Sequence, residues 1–244
     1  HGQRRGAMSF WLNVSGQTSD GAPVSGSFDP KVGTIAQKNP TKNTPAILED
    51  GGSRESSDTE SLNAWAKVGW EPSAATALFV NLHYFDRDKG VPPSTDSVQV
   101  FLKRPAFSQF NQIPTYRDLG VDLDGKHLLA PGFTLKAKGF YHEHVDDLVS
   151  YKDAEHREQI AVSRYDDTLA GGNLLGEWQV ATSNTLRFSA HVKDDTHRER
   201  DDAYLPFAES SAITGSVGLE DSMDLSRSLS AVAGVSADWF DVSN

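Results

Sequence analysis

The sequence predicts an all-β protein: an antiparallel meander of about nine long strands forming an incomplete segment of a transmembrane β-barrel. Three observations carry this expectation. Apolar and polar residues alternate with period two over stretches of around ten residues or more, the pattern of a strand with two unlike faces. Connections alternate strictly between short and long, as they do in outer-membrane barrels with tight periplasmic turns and extended external loops. Aromatic residues fall at the ends of the apolar face, where an amphipathic ring favours the headgroup level.

The elements follow in chain order. Met8, Phe10, Leu12 and Val14 mark a first strand without a hairpin partner. Leu62, Ala64, Ala66, Val68 and Trp70 form one face of the next, opposite Asn63, Trp65, Lys67 and Gly69. A turn near 72–76 returns the chain through Leu78, Val80, Leu82 and Tyr84, opposite Phe79, Asn81, His83 and Phe85. Leu119, Val121 and Leu123 then pair across 128–132, with its turn-prone Pro131-Gly132, to Phe133, Leu135, Ala137, Gly139 and Tyr141. Ala170, Gly172, Leu174, Gly176, Trp178 and Val180 lead through 181–184 into Leu186, Phe188, Ala190 and Val192. Ile213, Gly215, Val217 and Leu219 lead through 224–228 into a last strand from Leu229 to Trp239. The long connections cover roughly 17–58, 87–115, 147–163 and 196–209.

Trp70, Phe133 and Trp178 mark the short-turn end, and Tyr84, Tyr141 and Trp239 the opposite end. The other face is polar, with Lys67, Asn81, His83, Asp122, Lys136, Lys138, Glu177, Arg187 and His191. A bilayer-crossing strand needs roughly 9–11 residues, and these meet that length. Hydrocarbon admits no open sheet edge, and single-chain bacterial barrels have even strand numbers. Nine strands therefore imply a partial barrel.

Composition agrees with this once it is assigned to places. The net charge of −11 argues against a nucleic-acid partner, since phosphate contacts need clustered Lys and Arg. No run of 18 apolar residues suits a membrane helix. The absence of cysteine removes disulfides, thiolate metal sites and cysteine nucleophiles. Apolar residues make up only 37%, because a barrel strand needs them at alternate positions alone.

Motifs for enzymatic chemistry are absent: there is no G-x-S-x-G, H-E-x-x-H or P-loop. The chain is read as non-enzymatic, with no catalytic, cofactor or metal residue assigned. His142, His144, Asp146 and Asp147 in "HEHVDD" raise a metal reading, because His142 and His144 share a strand face; a polar strand end is preferred. The run His197-Arg198-Glu199-Arg200-Asp201-Asp202 reads as a solvated loop. The pairs Asp166-Asp167, Asp194-Asp195 and Asp201-Asp202 lack the spacing of a calcium loop. "LAGGNLLG" (Leu169–Gly176) reads as small residues at a bend or as close packing in a strand, in preference to phosphate binding. Asp153–Tyr165 is open between a short helix and continued strands.

"LFVNLHYFDRDKGVPPS" (Leu78–Ser94) resembles an early barrel strand of a TonB-dependent outer-membrane receptor running into its external loop. "PTYRDLGVDLDGKHLL" (Pro114–Leu129) and "GFTLKAKGFYHEHVDDLVSYKD" (Gly132–Asp153) resemble the hairpin that follows. "SRYDDTLAGGNLLGEWQ" (Ser163–Gln179) and "TLRFSAHVKDDTHRERDD" (Thr185–Asp202) resemble the next pair, and "SFWLNVSGQTSDGAPVSGSF" (Ser9–Phe28) an entry to a first long loop. The likeness covers essentially the whole chain as a pattern of strand ends. It implies residues 1–244 of a 22-stranded barrel from the outer membrane of a Gram-negative bacterium, without the N-terminal plug. Such a receptor imports a ferric siderophore, haem, cobalamin or oligosaccharide with energy from TonB, ExbB and ExbD. Its surroundings are outer-membrane lipid and lipopolysaccharide. Two alternatives stay open: a passive outer-membrane channel, and a secreted β-sandwich for binding or adhesion with Trp70 and Trp178 packed in a core.

Overall fold

The computed structural model describes residues 1–35, 44–93, 98–99, 104–105, 110–151 and 155–243. The strands are β1 (Gly2–Arg5), β2 (Met8–Ser19), β3 (Lys31–Ile35), β4 (Thr44–Glu49), β5 (Thr59–Ser73), β6 (Thr76–Val91), β7 (Val98–Gln99), β8 (Arg104–Pro105), β9 (Phe110–Ala130), β10 (Phe133–Tyr151), β11 (Gln159–Ala181), β12 (Asn184–Arg200), β13 (Ala208–Ser226) and β14 (Leu229–Ser243). Ten of them form one sheet in the order β1-β2-β5-β6-β9-β10-β11-β12-β13-β14. Every neighbour pair is antiparallel, and the sheet stays open at β1–β2 and β14. The nine long strands and their meander match the sequence reading: this is an arc of barrel wall. The two remaining hairpins, β3–β4 and β7–β8, lie within long loops.

Two details differ from the sequence reading. The first long strand does have a partner: Gly2–Arg5 folds back through Gly6, at φ 60°, and pairs with Met8–Trp11. The long strands also run further than the apolar alternation does. β6 continues to Val91, β9 starts at Phe110, β10 reaches Tyr151, β11 starts at Gln159 and β12 reaches Arg200. Backbone pairing needs no apolar face; above the aromatic level ion pairs replace it. The connection between β10 and β11 is thus short, and residues 159–165 of the undecided segment are strand. Residues 153 and 154 of that segment lie outside the described set.

Register places every predicted apolar face on one side of the sheet. One row runs Phe10, Val68, Val80, Leu123, Gly139, Gly172, Val192, Gly215 and Trp239 across nine strands. A one-residue slip at any pair would have thrown its neighbours to the other face. Among the described residues nothing covers this side. Trp70 is 46% exposed and Trp178 51%, so neither is packed in a core as the sandwich alternative requires. An exposed apolar surface of this extent marks an interaction face, and its continuity over nine strands suits lipid.

The edges of the band shift in register, as tilted strands require. At the long-loop end, the first charged residue on this face is Asp86 on β6 and Asp241 on β14. Asp241 occupies the row of Leu82, four residues lower. At the short-turn end Trp70 shares a row with Ala137, while Trp178 pairs with Phe133, again four residues lower. Both edges move together, so the band keeps its height. From Phe133 to Tyr141 the strand rises about 26 Å, or about 20 Å along the normal at a 40° tilt, close to the roughly 25 Å band of outer-membrane barrels.

Glycines recur opposite large rings. Gly69 faces Phe79, Gly171 faces Phe140, Gly176 faces Phe188 and Gly215 faces Trp239, each ring lying where a Cβ would stand. The ring covers backbone that the glycine leaves bare, which is the close packing read from "LAGGNLLG". The small buried core sits at the long-loop end, where Leu48 and Phe110 pack with Tyr151.

Candidate functional site

The polar face is built by the same alternation that builds the apolar one. Near the short turns, Arg187 on β12 spans its neighbours, donating to Glu177 on β11 at 3.0 Å and to Glu220 on β13 at 2.8 Å. Further up, Asn81 donates to Asp124 at 2.8 Å, and Lys138 lies 3.5 Å from Asp122. Lys67 sits over the Phe79 ring at 4.4 Å. These groups are partly exposed, so solvent screens each pair. Their larger effect is to keep the face wet and ordered.

From the Tyr141 level upward the polar face becomes rich in histidine. His142 is 3.1 Å from Asp122. His144 meets Asp118 at 2.8 Å through Nδ1 and Asp146 at 3.0 Å through Nε2. His197 meets Asp167 at 2.6 Å, with Glu199 at 3.5 Å from its other nitrogen. His83 packs its ring against Trp65 (centroids 5.2 Å apart) and against the edge of His142 (5.0 Å).

The sequence reading put His142 and His144 on one face, and they are. It did not bring them to a common ion: His144 has a carboxylate on each nitrogen. "HEHVDD" belongs to a continuous strand, as does 197–200 of the run read as a solvated loop. Alternation also separates two of the three acidic doublets, while Asp201 and Asp202 follow the end of β12. Asp167 faces His197 on the polar side, while Asp166 is 3.5 Å from Arg198 on the other. Asp195 takes Lys193 at 3.0 Å while Asp194 lies in the row of Tyr141. Neighbours on opposite faces cannot chelate one ion together. The contact between His83 and His142 escaped the sequence, because three strands must pair before the two rings meet.

The carboxylates set the protonation of the upper histidines. At His197 the Asp167 hydrogen bond dominates; it outweighs partial burial and, with Glu199, raises the imidazole above its usual range. At His144 burial is the largest influence and pushes downward, but Asp118 and Asp146 together reverse it and the net direction is up. A histidine raised on folding contributes stability that is complete below its unfolded pKa of about 6.5 and is lost as pH rises through the folded value. Asp167→Asn is therefore expected to return His197 towards its ordinary value. An NMR titration of the His197 ring checks this; an unchanged midpoint would show that Asp167 is not the cause.

At the long-loop end the loops are tied together by a buried pair. Glu49, with 0% of its side chain exposed, accepts from Arg54 Nη1 at 2.6 Å and from the N–H groups of Gly51 at 3.1 Å and Glu55 at 3.2 Å. Arg54 also donates through Nη2 to the carbonyl of Pro93. Loop 20–58 is thereby held to the chain leaving β6. Burial is the largest influence on Glu49 and raises its pKa, but Arg54 and the two backbone N–H groups together bring it below the ordinary carboxylate value. Glu49, Asp50 and Glu55 are the one cluster of metal-ligand type among the described residues. The Arg54 guanidinium already meets its charge. No period-two signal pointed to these residues, since the loop has none.

No family model matches the chain, and no curated protein matches it. Among solved structures, the chain is similar to the copper transporter OprC, with a TM-score of 0.68 and 12% identity. The match covers 99% of this chain and 34% of the OprC chain, so the chain spans about a third of that protein's length. At this identity the likeness concerns the fold: a meander of long strands as one sector of a larger wall.

Proposed function

We propose that this chain is part of the wall of an outer-membrane importer of the TonB-dependent type, in a Gram-negative bacterium. One observation carries the reading: a continuous, uncovered apolar band across nine strands, edged by aromatics and backed by a charged, hydrogen-bonded polar face. Such a surface is stable against hydrocarbon on one side and water on the other. The likeness of fold to a protein named as a copper transporter supports transport. The cargo is a scarce nutrient such as a ferric siderophore, haem or cobalamin, and metal-bearing cargo agrees best with the histidine–carboxylate face. The loops at 20–58 and 92–109, joined through Arg54 and Pro93, would enclose it from outside. Energy would come through TonB, ExbB and ExbD by way of a plug, and lipopolysaccharide would surround the upper band.

The test is cellular. The protein should fractionate with the outer membrane, and uptake of its cargo should stop when TonB is deleted. Uptake that persists without TonB would favour the passive channel. Recovery of the intact protein from the soluble periplasm would sink the membrane reading altogether.

A further inference from the structure

We propose that Lys126, Lys136 and Lys138, with the amide of Asn173, bind a phosphate group on the polar face near the short turns. The inference rests on reading that face as the water-filled side of a barrel wall, and it names a class of ligand for it. Lys126 on β9 and Lys136 on β10 are direct cross-strand partners. Like charges placed opposite each other destabilise a sheet. Both side chains are exposed, and among the described residues neither makes an ion pair or a hydrogen bond. The nearby carboxylates are engaged elsewhere: Asp122 with Lys138 at 3.5 Å and His142 at 3.1 Å, and Asp124 with Asn81 at 2.8 Å. Lys67, over the Phe79 ring, adds a further cation beside them. In a chain of net charge −11, this patch sets four lysines against two carboxylates. A bound anion supplies the missing countercharge.

Register gathers these groups. Lys126, Lys136 and Leu175 share one row, and Asp124, Lys138 and Asn173 the next row on the same face. Paired Cα atoms lie about 4.5–5.5 Å apart and alternate residues of a strand about 7 Å apart, so three long ammonium side chains reach a common point. They line one depression of about 270 Å³ with Phe79, Asn173 and Leu175, and Asp124 lines it too. Asn173 Oδ1 is bonded to His191 Nδ1, which leaves the amide N–H groups of Asn173 to donate to a ligand. Lysine offers a point charge without the planar fork by which arginine matches a carboxylate. Phosphate, a compact dianion with acceptor oxygens on every side, suits three ammonium groups and an amide. Leu175 is apolar on a charged face, and with Phe79 it gives the organic part of a phosphate ester a surface to lie on. Asn173 and Leu175 enter through their side chains, while the glycines of "LAGGNLLG" stay in strand packing.

Equilibrium dialysis of the intact protein in detergent at low ionic strength, with inorganic phosphate and phenyl phosphate as probes, tests the site. Both should bind saturably. Lys136→Gln should weaken each about tenfold, the loss of one hydrogen bond to a charged ligand, and Lys136→Arg should keep most of the affinity. Asp124→Asn should tighten binding about threefold, because it removes the repelling carboxylate from the depression. Lys193→Gln removes a cation elsewhere on the same face and should leave binding within about twofold. Lys126→Gln and Lys136→Gln should melt no lower than the wild type, since each ends the like-charge pair, so lost affinity cannot come from misfolding. Phenyl phosphate should bind more tightly than phosphate, and Leu175→Ser should erase that difference; equal affinities in the wild type would assign the site to free phosphate and not to an ester. Wild-type affinity in the Lys126→Gln/Lys136→Gln double variant would overturn the site, as would no saturable binding at all. Either result beside TonB-dependent uptake would sink the phosphate site and leave the importer standing. Lysine-dependent phosphate binding in a protein found in the soluble periplasm would keep the site and sink the importer.

Discussion

Val80→Arg will destabilise the protein by about 2–4 kcal/mol if the apolar band faces lipid as proposed, the cost of a cationic side chain near the bilayer midplane. Val80 is in the middle of the apolar band, between Val68 on β5 and Leu123 on β9. An arginine there must leave its charge in hydrocarbon or bend far to reach the headgroups. Total stabilities are about 5–15 kcal/mol, so the loss is a large share. The next residue is the control: Asn81→Arg places the same charge on the polar face, beside Asp122 and Asp124. Urea unfolding in lipid vesicles should show a lowered midpoint for Val80→Arg and near wild-type behaviour for Asn81→Arg. Equal effects from the two would mean that the faces have been assigned to the wrong surroundings.

Arg54→Ala will release the first long loop. Removing one partner of a buried ion pair costs about 3–5 kcal/mol, because the remaining charge stays desolvated. Here Glu49 would keep only two backbone N–H groups, and the Pro93 carbonyl would lose its donor. The loop can escape this cost by undocking, so the effect should be local opening and not loss of the sheet. Limited proteolysis should cut within 20–58 many times faster than in the wild type, while the melting of the sheet changes little. Arg54→Lys should rescue only partly, since one ammonium lacks the planar fork that serves both Glu49 and Pro93. Because Glu49 has a depressed pKa, its contribution is complete above the ordinary carboxylate value of about 4.3 and is lost as pH falls through the depressed value. Acid should therefore open the same loop in the wild type. Proteolysis unchanged in Arg54→Ala at neutral pH would show that something else docks the loop.

Legibility followed periodicity. From Leu62 to Trp239 the apolar positions were readable because each long strand keeps its apolar residues on one face, and every one of them falls on a single side of the sheet. The tight turn at Pro131-Gly132 was readable for a local reason. Proline presets φ at the second turn position, and glycine takes the positive φ of 78° that follows. The strand ends were misjudged: above Tyr141 the apolar signal stops, yet pairing continues through His144, Val145 and Asp146 to Tyr151. The doublets Asp166-Asp167 and Asp194-Asp195, set aside in the sequence for lacking the spacing of a calcium loop, are also split by the strand, on which adjacent side chains point apart.

The sequence by itself determined which residues share the apolar side of the sheet, how many long strands there are and where the tight turns lie. Each of these depends on local alternation or on the backbone preferences of one or two residues. Only the tertiary structure decided which side chains meet across strands. Register brought His83 to His142 over Gly120, carried Arg187 between Glu177 and Glu220, and let both aromatic edges drift together by four residues. Such pairings join residues up to 59 positions apart (142 − 83). A period of two records the face of each side chain but not its distance along the neighbouring strand.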